Sequence, residues 1–203
     1  MDRDCLSGQL WCNIGGLLDA GCSANDQETE TELIGGIEHA EIRIVDYDPR
    51  WPDAFATHAD RIRRALGPAA RAVEHIGSTS VPGLAAKPII DILVTVDDVE
   101  REDEYVTALD AAGYELRVRE PGHRMMRTPT RHVHIHILQP EDPACDDYRL
   151  LREWLRRDSA DRALYAATKR DLARRDWTDT NAYADAKTDV ITQINNRARS
   201  ARI

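Results

Sequence analysis

One short and very apolar segment, Ile89–Val96, limits most strongly the folds open to this chain. Its sequence, IIDILVTV, is rich in β-branched residues and apolar at successive positions, which is typical of a strand covered on both faces. It carries one carboxylate, Asp91. Because an ionised carboxylate buried alone costs several kcal/mol, Asp91 requires a metal ion, a basic partner, an exposed strand end or the N–H groups of a neighbouring loop.

Strands and helices are predicted on both sides of this segment. Alternating or β-branched residues predict further strands at Glu41–Asp46, Arg71–Ile76, Tyr114–Arg119, His123–Arg127 and Arg131–Leu138. Helical spacing predicts a helix from Pro52 to Gly67, another from Asp97 or Asp98 to Gly113, and three more after Cys145. The expected fold is therefore α/β (α+β): a central mixed β-sheet flanked by helices, with a helical C-terminal part.

The first forty residues differ from the rest of the chain. Cys5, Cys12 and Cys22 lack the two-residue gap of zinc knuckles, so both a metal or disulfide staple and free thiols stay open. The acidic stretch Asn25–Glu32 has no apolar residue, which indicates a linker. We expect residues 1–40 to be a poorly ordered or appended leader and residues 41–203 to form the domain.

The charge and hydropathy patterns exclude several classes of function. The chain has 27 Lys and Arg against 36 Asp and Glu, a net charge of −9, which argues against non-specific nucleic-acid binding. No apolar run approaches the roughly 20 residues of a membrane span, and Asp2 and Asp4 do not suit a secretory signal. We expect a cytoplasmic protein without membrane contact. A nucleotide ligand stays open, because a basic pocket can lie on an acidic protein.

The loop between two predicted strands, GSTSVPGLAAKP at Gly77–Pro88, is a candidate phosphate site. Glycine lets backbone N–H groups approach an anion, and hydroxyl groups and a lysine add donors and positive charge. The candidate ligand residues are Gly77, Ser78, Thr79, Ser80 and Lys87, the last being one of only three lysines in the chain. The alternative is an ordinary turn, which the same composition also favours.

Three histidines, His132, His134 and His136, alternate along one predicted strand and therefore project from one face. Two of them can bind a divalent cation through nitrogen, or contact a phosphate when protonated. The alternatives are a solvated face or hydrogen bonds to carboxylates, and His132, at the strand start, is the weakest candidate. Nearby arginines, of which Arg124 is a further candidate phosphate ligand, make this region locally basic.

The segment HIGSTSVPGLAAKPIID, from His75 to Asp91, resembles the signature of the GrpB family. The stretch IRIVDYDPRWPDAF at Ile42–Phe55 and the stretch HVHIHIL also resemble that family, over about residues 41–197 in all. In the helical tail the resemblance rests on Tyr148, Leu151, Tyr165, Lys169, Leu172, Tyr183 and Lys187. It implies the nucleotidyltransferase superfamily, in which Gly-Ser after a strand is followed by Asp-x-Asp/Glu on the next strand and a third carboxylate later.

The chain departs from that pattern in its carboxylates. Gly77-Ser78 and Asp91 match, but Leu93 occupies the second carboxylate position, and the later strand carries His134 and His136. The resemblance thus implies one divalent metal, Mg²⁺ or a similar ion, held by Asp91, His134 and His136 as metal-binding and catalytic residues, with a nucleotide or other phosphate ligand. The alternatives are a non-catalytic nucleotide- or phosphate-binding or regulatory domain and a structural module. Fusion of family members to dephospho-coenzyme A kinase indicates coenzyme A or nucleotide metabolism.

Overall fold

The computed structural model describes residues 31–36, 41–177 and 180–201. Most of the predicted leader, with Cys5, Cys12, Cys22 and nearly all of the acidic stretch, lies outside the described residues. No helix of the described part is long and apolar enough to cross a membrane.

The described residues form one mixed sheet, as the sequence predicts, and it has six strands. They are β1 (Glu32–Leu33), β2 (Ala72–Ile76), β3 (Ile90–Thr95), β4 (Glu115–Glu120), β5 (His123–Arg127) and β6 (Val133–Leu138). Their order is β1-β4-β5-β6-β3-β2, with β3 and β6 parallel and the other neighbours antiparallel. The edge strand β1 precedes residue 41, where the sequence predicts that the domain begins.

Six α-helices among the described residues flank the sheet and form the C-terminal part. They are α1 (Trp51–Leu66), α2 (Val106–Ala111), α3 (Pro143–Arg157), α4 (Ser159–Leu172), α5 (Thr180–Asp185) and α6 (Thr188–Ser200). Pro52 lies in the first turn of α1, where a missing N–H costs little. Asp142 and Asp158 cap α3 and α4 by accepting hydrogen bonds from backbone N–H groups.

The strand predicted at Ile89–Val96 is covered on both faces, which confirms the expectation. Its residues Ile90, Ile92 and Val94 are buried in the main core together with residues of α1 and α2. Leu93 faces the other way, into a smaller apolar cluster with Ala144 and Cys145 of α3. Because side chains alternate along a strand, Asp91 lies on the same face as Leu93, under the C-terminal helices.

Three local predictions are wrong. At Glu41–Asp46 only Val45 pairs, in an isolated bridge to Ala86, because Ile42 and Ile44 pack against Leu172 and Tyr183 instead of extending a sheet. The helix expected from Asp97 or Asp98 shortens to α2, preceded by a 3₁₀ turn at Glu102–Glu104.

The third wrong prediction is the buried face of α4. The sequence places it at Leu164, Thr168 and Leu172, but Leu164 is exposed. The buried residues are Asp161, Tyr165, Lys169 and Leu172. A face that contains a lysine and an aspartate is not apolar enough to be recognised by its pattern.

Candidate functional site

The parallel pairing of β3 with β6 brings three predicted site residues together. Asp91 lies opposite His134, and Leu93 lies opposite His136. Asp91 Oδ1 is 3.8 Å from His134 Nδ1 and 3.8 Å from His136 Nε2. One atom of each side chain lies within 4.8 Å of the other two. The two histidines and the aspartate therefore form a cluster that can hold a cation.

Asp91 and His134 of this cluster have the protonation states that bind a cation. Burial raises the pKa of Asp91, but the neighbouring His136, His134 and Lys187 side chains lower it by more, so the carboxyl is ionised. Burial lowers the pKa of His134 to about 4, against the opposing effect of Asp91. At neutral pH the cluster thus offers a carboxylate and a neutral imidazole, both of which are ligand forms.

The Gly-Ser loop lies directly against Asp91. Gly77 has φ 70° and ψ −175°, a conformation open essentially to glycine alone. A Cβ atom at this position would lie 2.4 Å from Asp91 Oδ2. The glycine of the predicted motif is therefore required both by the backbone and by the close approach of the carboxylate.

The hydroxyl groups of the loop have different partners. Thr79 Oγ1 donates to the carbonyl of Ile89 at 3.0 Å, and Ser80 Oγ donates to the carbonyl of Gly77 at 2.6 Å. These two bonds hold the loop in shape. Ser78 Oγ instead accepts a hydrogen bond from Lys169 Nζ at 2.8 Å and lines a cavity, so Ser78 is the hydroxyl best placed for a ligand.

A cavity of about 440 Å³ opens over the aspartate and histidine cluster. All three lysines of the chain line it: Lys87, Lys169 and Lys187. Lys169 Nζ lies 4.4 Å from the ring centre of Tyr165, and Lys187 Nζ lies 4.8 Å from that of Tyr183. The aromatic rings stabilise cations at these positions.

The three lysines raise the positive charge of the cavity. Burial and the neighbouring Lys187 lower the pKa of Lys169 well below its usual value. Burial and the neighbouring Lys87 lower the pKa of Lys187 to about 8. Burial also lowers the pKa of Lys87, against the opposing effect of Asp91. Crowded buried cations with depressed pKa values are stabilised when an anion enters among them.

Arg124, predicted as a phosphate ligand, lies on the opposite face of the sheet. It pairs with Ile137 of β6, whereas Arg127 pairs with His134 and lines the cavity. The Arg124 side chain is buried and binds Glu102 and Glu100, each at 2.5 Å. Since positions 124 and 127 differ by an odd number along one strand, they cannot share a face.

Sequence analysis did not assign Lys169, Lys187, Tyr165 or Tyr183 to the site. They lie on α4, α5 and the start of α6, and only the folded chain brings these helices over β3. The rarity of lysine was the one available signal, since each of the three lysines stands within the family resemblance and each lines the cavity.

The model of a family described as GrpB protein matches residues 41–197, which is most of the chain. The chain belongs to the GrpB family. A UPF0157 protein of Streptomyces coelicolor is 56% identical to this GrpB protein over 174 residues, covering 86% of this chain and 93% of the relative. The crystal structure of conserved protein GrpB from Enterococcus faecalis has a TM-score of 0.69 and 32% identity, covering 79% of this chain and 99% of that one.

Two other similarities involve proteins with named activities. A dephospho-CoA kinase of Mycolicibacterium paratuberculosis is 32% identical over 180 residues, which cover 74% of this GrpB protein but 44% of the kinase. A structure of the Cid1 poly(U) polymerase has a TM-score of 0.47 and 17% identity, covering 62% of this chain and 42% of that one. The second similarity bears on neither the substrate nor the reaction of this protein.

The close approach of Gly77 to Asp91 can be tested by comparing two glycines of the same loop. Gly77 and Gly83 both have positive φ, but a Cβ at Gly83 meets no atom within 4 Å. Gly83→Ala should therefore lose only the backbone cost of about 1–2 kcal/mol in the free energy of unfolding. Gly77→Ala should lose clearly more, because its methyl group displaces Asp91. Urea denaturation of both variants measures the difference, and equal losses would contradict the packing described.

Proposed function

We propose that this protein binds a nucleotide or another small phosphate-bearing molecule in the cavity over Asp91, together with one divalent cation. One observation carries this proposal. The ligand atoms of Asp91, His134 and His136 lie within 4.8 Å of one another, beside a cavity lined by every lysine of the chain. The cation would be held by the carboxylate and the imidazoles. The phosphate groups would lie among the lysines.

The charge distribution of the cavity supports an anionic ligand. Three lysines and Arg127 line the cavity, together with the acidic residues Asp91 and Glu41. A cation bound by Asp91 adds further positive charge beside the lysines. Multiply charged phosphate groups balance this excess and accept hydrogen bonds from the ammonium groups.

The loop geometry supports the same ligand class. Lys169 and Ser78 are already joined by a hydrogen bond of 2.8 Å, so the two donors lie together at the cavity wall. Gly77 lets the loop backbone approach Asp91, which places Ser78 next to the cation cluster. The similarity to part of a dephospho-CoA kinase is consistent with a ligand from nucleotide or coenzyme A metabolism.

One observation favours binding without transfer. In the superfamily that the sequence resembles, two carboxylates on one strand hold two metal ions for attack on a phosphate. Here Leu93 occupies the second position and is fully buried among Ile76, Leu138 and Ala144. The alternative, a nucleotide- or phosphate-binding or regulatory domain that lacks nucleotidyl transfer, is therefore favoured over a nucleotidyltransferase that works with one metal ion.

Pyrophosphate release separates these two alternatives. Wild-type protein and Asp91→Ala are incubated with each nucleoside triphosphate and with Mg²⁺, Mn²⁺ or Zn²⁺. We expect no pyrophosphate above background, because Leu93 stands where the second metal-binding carboxylate of that pattern would lie. Release by the wild type that disappears in Asp91→Ala would establish the transferase instead.

Removal of the Lys169 charge should weaken phosphate binding. Titration calorimetry with ATP and with inorganic tripolyphosphate should give an affinity at least about tenfold lower for Lys169→Met, since hydrogen bonds to charged groups contribute about 1.5–3 kcal/mol. Arg174→Met is the control, because Arg174 is exposed and pairs with Asp171. If Lys169→Met stays folded and binds with the same affinity as the wild type, the lysines are not part of the proposed site.

Anion binding should also weaken as the pH rises. Lys187 has a pKa of about 8, set by burial and Lys87 against the opposing charges of Asp91 and Asp185, so it is mostly protonated at pH 7 and mostly neutral at pH 9. Sulfate keeps its charge over this range, so its affinity should fall between pH 7 and pH 9. The fall should be smaller in Lys187→Met. A sulfate affinity that is constant with pH in the wild type would contradict the assignment.

A further inference from the structure

The donor atoms of the cation cluster are unusual for a magnesium site. Two are imidazole nitrogens, from His134 and His136, and one is the Asp91 carboxylate. Mg²⁺ prefers oxygen ligands and retains much of its water, whereas imidazole suits zinc, cobalt, nickel and iron. At the place where a second carboxylate would stand, Leu93 offers no oxygen.

The spacing of the donors is close to that needed by such an ion. Ligand atoms about 2.1 Å from a tetrahedral metal lie about 3.4 Å from one another. The cluster atoms lie within 4.8 Å of one another, so an inward shift of roughly an ångström by each side chain brings them to that spacing.

A second histidine and a buried glutamate lie behind His136. His136 Nδ1 lies 3.3 Å from His123 Nε2, and the two rings have centres 5.5 Å apart and planes within 11° of parallel. His123 Nδ1 lies 2.9 Å from Glu120 Oε2. The Glu120 side chain is 3% exposed and accepts a further hydrogen bond, at 3.1 Å, from Thr31 Oγ1.

The contacts with His123 and Glu120 favour one tautomer of His136. The Glu120 carboxylate can only accept, so His123 donates from Nδ1 and carries a lone pair on Nε2. His136 then donates from its Nδ1 to that lone pair. In this tautomer the remaining nitrogen, His136 Nε2, carries a lone pair on the side of the ring where Asp91 lies, the position from which the other tautomer would donate to Asp91. Such outer carboxylate partners are typical of metal-binding histidines, where they set the ring orientation and the tautomer.

We propose that Asp91, His134 and His136 form a site selective for a nitrogen-preferring transition-metal ion of the Zn²⁺ or Co²⁺ type over Mg²⁺, with Glu120 and His123 as its positioning residues. This proposal rests on the cation cluster of the proposed function and names the class of cation and the residues behind it. His123 and Glu120 act through His136 and do not touch the ion.

The first test uses the metal ions alone, with the full chain. Titration calorimetry should show Zn²⁺ and Co²⁺ binding at least 100-fold more tightly than Mg²⁺. Bound Co²⁺ should develop visible absorption bands different from those of the aqueous ion, and these bands should be lost in His134→Ala and in Asp91→Asn. Mg²⁺ affinity equal to or above that of Zn²⁺, or Co²⁺ bands unchanged in both variants, would overturn the proposal.

The second test concerns the positioning residues. His123→Ala and Glu120→Gln should each weaken Zn²⁺ binding by about 10- to 100-fold, because a glutamine can donate as well as accept and so no longer imposes one tautomer on the histidine pair. His132→Ala is the matched control: His132 precedes β6, is exposed and lies outside the cluster, so its Zn²⁺ affinity should equal that of the wild type. Circular dichroism confirms folding, and His123→Ala decides the result if Glu120→Gln unfolds.

The outcomes also separate this proposal from the proposed function. Unchanged Zn²⁺ affinity in folded His123→Ala would remove the positioning role. Tripolyphosphate binding that depends on Lys169, without any preference for Zn²⁺ or Co²⁺, would leave the phosphate site standing and contradict the metal selectivity. Selective metal binding without phosphate binding would support the metal selectivity and contradict the phosphate site.

Discussion

The need to stabilise one partly buried carboxylate organises the centre of this protein. Asp91 lies in the most apolar strand of the sheet, where its charge is expensive unless neighbouring groups compensate for it. The folded chain supplies imidazoles from β6, ammonium groups from the C-terminal helices and a glycine that lets the Gly-Ser loop approach. The parallel pairing of β3 with β6, and the packing of α4 to α6 over that face, therefore serve the same carboxylate.

The groups that compensate for the charge of Asp91 supply more than one carboxylate requires. Burial, and after it a neighbouring lysine, lowers the pKa of Lys169 and of Lys187, and Asp91 opposes this only in part. Such an arrangement stores unfavourable electrostatic energy that an incoming anion releases. For the same reason a bound cation and a bound phosphate favour each other, since the phosphate shields the ion from the lysines while the ion neutralises part of the phosphate charge.

Local patterns predict much of the sheet and half of the site. Alternation along β6 places His134 and His136 on one face, the family resemblance joins Asp91 to them, and the Gly-Ser loop is visible as a motif. The C-terminal contribution could not be derived in this way, because the hydrogen bond between Lys169 and Ser78 joins residues 91 positions apart. The face on which Arg124 lies follows from the register of β5, in which Arg124 pairs with Ile137. That register becomes known only when the strands are aligned in the folded sheet.

The apolar residue Leu93 and the series of contacts from His136 through His123 to Glu120 are best considered together. In the superfamily pattern that the sequence resembles, the second negative charge stands on the same strand as the first and binds metal directly. Here that position is apolar and packs under α3, while the residue paired with it across β6 is His136. A buried carboxylate is nevertheless present, at Glu120, separated from His136 by the ring of His123. In the proposed site this carboxylate acts through two imidazole rings, of which only that of His136 touches the ion, and this separation is the physical basis for the proposed preference for metals that bind imidazole.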